Sequence, residues 1–195
     1  MKYRGLNISV IVAAFAITLG AIMGMKYLAF KAQVEKPLNE FLRGSRVVKS
    51  YSVTESKEGF ELDITLDEVD DLRATYLELR DGARAIMGDR LKTIVIKDTR
   101  TRELENVYYR VHFAIYEAIF TGSFQNMARL VDAEARIARL DRYRVRVDGD
   151  NVYLQLHKGR AYLYEIVPRG LAQPAAPAPG PVPGGGTGGA GAGPW

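Results

Sequence analysis

The sequence predicts an α+β protein: a single N-terminal transmembrane helix, then one small mixed domain, then a disordered Pro/Gly-rich tail. The domain is expected to run ββαβ, a helical hairpin, and a three-stranded antiparallel meander. Three observations lead there. An uncharged apolar run opens the chain, period-two alternation recurs on either side of helical periodicity, and the last residues carry no charge and little to bury. A chain of 195 residues leaves room for one ordinary domain between such ends. The expected divisions are 1–30 for the membrane anchor, 31–44 for a membrane-proximal helix, 45–169 for the α/β domain and 170–195 for the tail.

The formal net charge of +4 belongs mostly to the anchor. No acid lies in 1–30 or 170–195, whereas Lys2, Arg4 and Lys26 do. Of the 27 Lys and Arg, 24 therefore remain on the folding segment against 23 acids, so the charge does not point to a nucleic-acid partner. The chain has no cysteine, which removes disulfides, thiolate nucleophiles and Cys-based metal sites together.

Leu6 to Met25 holds no charged side chain and has about the 20 apolar residues needed to span a bilayer. The apolar core of a cleaved signal peptide is shorter, roughly 7–15 residues, and ends at small residues. Ile22-Met23-Gly24-Met25 offers no such site, so a single-pass signal-anchor is expected. The short basic N-terminus is assigned to the cytoplasm, which puts the domain on the extracytoplasmic side. Ala16, Gly20 and Gly24 recur every fourth residue, a small-xxx-small stripe suited to packing one membrane helix on another, and they nominate a homo-oligomer through the anchor.

Phe30, Val34, Leu38, Phe41 and Leu42 continue a helical period to Gly44 and read as a stalk leaving the bilayer. Tyr51 and Val53, then Phe60, Leu62, Ile64 and Leu66, alternate with polar residues as two strands around Lys57-Glu58-Gly59. The acids Asp67, Glu68, Asp70 and Asp71 mass at the start of a helix, where its dipole favours them. That helix buries Val69, Leu72, Tyr76, Leu79, Ala83 and Ile86, and Gly88 ends it. Leu91 to Lys97 is a β-branched strand.

The next helix, from about Arg102 to Thr121, carries two apolar stripes. Leu104, Val107, Val111, Ile115 and Ala118 form one, and Tyr109, Phe113, Tyr116 and Phe120 form the other. A helix apolar on two sides is expected to lie between layers. After Gly122-Ser123 a second helix carries Met127, Leu130, Val131, Ala135 and Ala138. The meander follows, with turns at Asp148–Asn151 and Lys158-Gly159.

Motifs for chemistry are weak. His112 and His157 sit on different elements without a second ligand at metal spacing. The acids at 67–71 are explained by a helix start, and Asp148, Asp150 and Asn151 by a hairpin turn. No nucleophile elbow or phosphate loop is present, so no catalytic residue, metal or cofactor is assigned. The candidate partner-binding face is Arg142, Arg144 and Arg146 on the outer side of the meander, beside Tyr153, Gln155, His157, Tyr162 and Tyr164. Arginine next to tyrosine suits protein contacts. The functional expectation is a non-enzymatic membrane-anchored assembly or scaffolding protein whose partners are the lipid bilayer and other proteins. A ligand- or polyanion-binding module on the arginine/tyrosine face, and a membrane-tethered hydrolase, are the alternatives.

Overall fold

The computed structural model describes residues 8–172. The tail expected from 170 onward lies outside the described residues after Ala172, and the anchor's first residues lie outside them before Ile8. Helix α1 runs Ile8–Phe30, followed by a π-helical turn Lys31–Glu35 and α2, Lys36–Gly44. Among the described residues no helix is long and apolar enough to cross a membrane. The side chains of α1 are described without a break only over 11–25, so the expected span from Leu6 to Met25 falls partly outside them.

The α+β order is as expected. Strands β1 (Val48–Ser56) and β2 (Gly59–Leu66) form a hairpin, α3 (Leu72–Met87) crosses over, and β3 (Leu91–Lys97) pairs parallel to β2, giving a mixed sheet in the order β1-β2-β3. Helices α4 (Arg102–Thr121) and α5 (Phe124–Ile137) form a hairpin turned by Gly122, whose φ of +78° suits a residue without a Cβ. Strands β4 (Arg142–Val147), β5 (Asn151–Lys158) and β6 (Ala161–Pro168) form an antiparallel meander.

Two hydrophobic clusters follow from the faces of these elements. Sheet β1-β2-β3 turns Phe60, Leu62, Ile64 and Leu66 toward Leu72, Leu79, Ala83 and Met87 of α3. The meander turns Val152, Leu154, Leu156 and Leu163 toward Leu104, Val107, Val111 and Ile115 of α4.

The membrane-proximal helix departs from its expected role as a stalk. Val34, Leu38 and Leu42 are fully buried and belong to the first cluster. Phe41 lies against Gly82 of α3 so closely that a Cβ at position 82 would stand 2.1 Å from Phe41 Cζ. The core therefore draws on residues ahead of position 45. A helix whose apolar side chains find a second surface buries them there, because each buried leucine contributes about 1.5–3 kcal/mol.

The second departure is α4. Its first stripe is buried as expected, but Tyr109, Phe113, Tyr116 and Phe120 are exposed at 67, 66, 50 and 67%. No second layer covers them among the described residues. Apolarity at helical spacing shows that a face prefers cover, and it does not say whether this chain supplies that cover.

Leu42→Ala should lower the unfolding free energy by about 2–5 kcal/mol in a denaturant titration, the range for truncating a buried leucine. An unchanged midpoint would mean that α2 is a free stalk.

Candidate functional site

The residues expected to form an open arginine/tyrosine face are present on one side of the meander, but that side is internal. Tyr153, Gln155, His157, Tyr162 and Tyr164 are all at least nine-tenths buried. What covers them is the loop at 67–71 and the start of α3, together with the first cluster, which Tyr153, Tyr162 and Tyr164 join. Strand β5 is thus buried on both faces and β6 nearly so, while the edge strand β4 stays largely exposed, with Tyr143 and Val147 reaching solvent on the side expected to face the core.

The polar atoms of that face are satisfied by backbone at Gln155, Tyr162 and Tyr164, and by side chains at Tyr153, which donates to Asp148, and at His157, which meets Gln155 and Glu68. Gln155 Oε1 accepts from the Leu72 amide at 3.1 Å, and its Nε2 donates to the Val69 carbonyl at 2.6 Å. Tyr164 Oη accepts from the Val69 amide at 2.9 Å, and Tyr162 Oη donates to the Leu66 carbonyl at 3.1 Å. Buried polar groups are tolerated when each has such a partner, and amphipathic tyrosine supplies both area and a handle. Burial raises the Tyr164 phenol well above its ordinary value. Burial also lowers His157, with the Arg142 charge acting in the same direction and Glu68 opposing it.

The three arginines sit at the rim of this contact, about half exposed, and reach the acids of the loop. Arg142 pairs with Glu68 and, at 3.2 Å, with Asp70. Arg144 Nη1 donates to the Asp70 carbonyl at 2.8 Å and lies 3.3 Å from Asp71 Oδ2, which Arg146 approaches at 3.1 Å. Asp71 also caps α3 by accepting from the Ala74 amide at 3.1 Å. Burial alone would raise the Asp71 carboxyl, but that amide, Arg146 and Arg144 outweigh it and hold the pKa below the ordinary value. Glu68, Asp70 and Asp71 are therefore partners of the arginine row at 142–146, while Asp67 pairs with Lys49 at 3.1 Å.

Other candidates of the sequence are placed as follows. Among the described residues no three His, Asp or Glu side chains gather as a metal site. His112 lies on α4 with Nδ1 2.5 Å from the Tyr109 carbonyl, its ring tilted 40° against that of Phe113 at 3.8 Å between ring centres. Asp148 accepts from the amides of Asp150 and Asn151 at 2.9 Å each, so that turn closes on itself. Ala16, Gly20 and Gly24 are exposed along α1, and a Cβ on either glycine would meet nothing within 4 Å. Two open clefts, of about 490 and 430 Å³, lie between α2 and β1 and between β3 and β6. Neither includes His112 or His157.

What remains uncovered is the outer face of α4. At 100° per residue, Tyr109, Phe113, Tyr116 and Phe120 fall within a narrow stripe opposite the buried one. On α5, Leu130 and Ile137 are also exposed, at 39 and 72%. Four large aromatics in a row make an apolar patch on the scale of the largest that a typical monomer carries, and such patches are often functional. The sequence shows this stripe plainly, but apolarity alone does not reveal which layer covers a face. Comparison with family models, curated proteins and solved structures finds no match for this chain.

Gln155→Ala should cost about 2–4 kcal/mol of stability, because it leaves the buried Leu72 amide and Val69 carbonyl without partners. A loss under about 0.5 kcal/mol, the range for an exposed side chain, would contradict the internal placement of this face.

Proposed function

We propose that this chain is a non-enzymatic, membrane-tethered assembly protein that docks other proteins on the aromatic face of α4. The observation that carries the reading is the exposure of Tyr109, Phe113, Tyr116 and Phe120 on one helix of an otherwise well-covered domain. Tyrosine and phenylalanine are enriched at protein interfaces, where they supply area at low conformational cost, and such a patch is unfavourable in water unless a partner covers it.

The tether is α1. Its backbone is helical over Ile8–Phe30, and the support for a span is the charge-free run from Leu6 to Met25 in the sequence, about what a bilayer requires. Ile11, Val12, Phe15, Ile17, Leu19, Ile22 and Met23 are all exposed along it, an arrangement suited to lipid and not to water. The domain then stands on the extracytoplasmic side, following the short basic N-terminus.

The arginine/tyrosine face is given up as the docking surface, since its charges are met by Glu68, Asp70 and Asp71. That also removes the support for the polyanion-binding alternative.

Membranes washed with carbonate should retain the full chain. A photoreactive benzoylphenylalanine in place of Phe113 should then give protein adducts heavier than the chain, while the same probe at exposed Thr54 on β1 should give none. Release by carbonate would contradict the tether, and absence of adducts at position 113 would contradict the docking face.

A further inference from the structure

We infer that the occupant of the α4 face is a second copy of this chain, the two α4 helices packing antiparallel across a two-fold axis between Phe113 and Tyr116. The inference rests on the docking reading above and names its partner.

The first support is spacing. Residues 109, 113, 116 and 120 step by four, three and four, which is the a/d seam of two helices packed with knobs in holes. An identical seam on a second copy is self-complementary, and an isologous pairing closes on itself without leaving an open end. In the antiparallel register Tyr109 meets Phe120 of the second copy, and Phe113 meets its Tyr116.

The second support is area. Four aromatics of roughly 150–250 Å² each, half to two-thirds exposed, offer on the order of 500 Å² per copy. Covering both seams removes on the order of 1,000 Å², the lower limit for a specific interface, to which the flanking charged side chains add.

The third is charge. Flanking charges pair in either direction: Glu105 would face Arg110 in a parallel dimer, and Arg110 would face Glu117 in an antiparallel one. The end of the seam decides between them. Arg102 continues the stripe by one more step, so a parallel pair would set Arg102 against Arg102 and align the two helix dipoles, both unfavourable. An antiparallel pair avoids both. Arg110 gives its Nε to Glu134 at 2.5 Å, leaving the ends of its fork for a second carboxylate, and Glu117 is exposed.

The natural absence of cysteine makes the test direct. Full-length chains carrying Tyr109→Cys or Phe120→Cys, with different tags, are co-expressed and treated in membranes with a short bismaleimide. The expected result is a 109–120 linked dimer with no 109–109 link, since antiparallel packing separates the two copies of position 109 by about 16 Å along the axis. Adding Phe113→Glu to both chains should abolish the link and lower the melting temperature only to that of the folded single chain, whose circular dichroism is unchanged, because that side chain is exposed outside the seam. A 109–109 link, no link at all, or a link indifferent to Phe113→Glu would overturn the inference. Should the cysteine pair give no link while the photoprobe at 113 gives adducts of another mass, the docking reading stands and the second copy is excluded as its occupant.

Discussion

Tyr164 and Gln155 reach from the meander into the loop between β2 and α3 and take up its backbone, at 2.9 Å on the Val69 amide, 3.1 Å on the Leu72 amide and 2.6 Å on the Val69 carbonyl. This grip locks together two layers that the tyrosines of the meander also join by packing into the first cluster. One is the mixed sheet with α2 and α3, and the other is the meander with α4 and α5, each with its own hydrophobic cluster. Unpaired, those loop amides and carbonyl would cost about 1–3 kcal/mol each in the interior. Paired, they fix where the tyrosine face must sit. The rim of arginines then closes over Glu68, Asp70 and Asp71, adding direction more than energy, since half-exposed ion pairs contribute under about 1 kcal/mol each.

The consequence for function is one of exclusion followed by selection. Once the arginine row and the acid cluster are spent on each other, the two most charged segments of the domain are structural. The two inner strands of the meander have little free face, because their aliphatic side is covered by the helical hairpin and their tyrosine side by the loop and the first cluster. Among the described residues the row of exposed aromatics in the domain is then the face of α4 turned away from the meander. Its aromatics lie on a helix already anchored by Leu104, Val107, Val111 and Ile115, so the seam is presented rigidly, which lowers the ordering cost of an encounter.

The strands, the body of α3 and the hairpin at Gly122 were legible in the sequence, because alternation and helical periodicity are local signals. Helix α3 begins at Leu72, however, and not among the acids 67–71, which form a loop ending in the N-cap Asp71. The placement of two faces was not. Tyr153, Gln155 and His157 are amphipathic and alternate with Leu154 and Leu156 as a solvated face would, and only their distant partners show that they are inside. The pairing of Arg144 with Asp71 joins residues 73 positions apart, beyond any periodicity. The Tyr109 to Phe120 stripe failed in the opposite sense, since a seam awaiting a partner and a seam under a layer carry the same residues. Leu38 and Leu42 likewise read as amphipathic in any setting, and only Gly82 opposite Phe41 hints at a close neighbour.

The grip itself can be measured through two amides that lie outside or at the very start of regular structure. Val69 N–H and Leu72 N–H are bound only by side chains of the meander, so their hydrogen exchange reports whether the layers open together. Under native conditions both should exchange as slowly as the central amides of β5, with the same dependence on denaturant. Exchange many-fold faster than β5, with little denaturant dependence, would show the loop opening alone and would contradict the claim that this contact joins the fold.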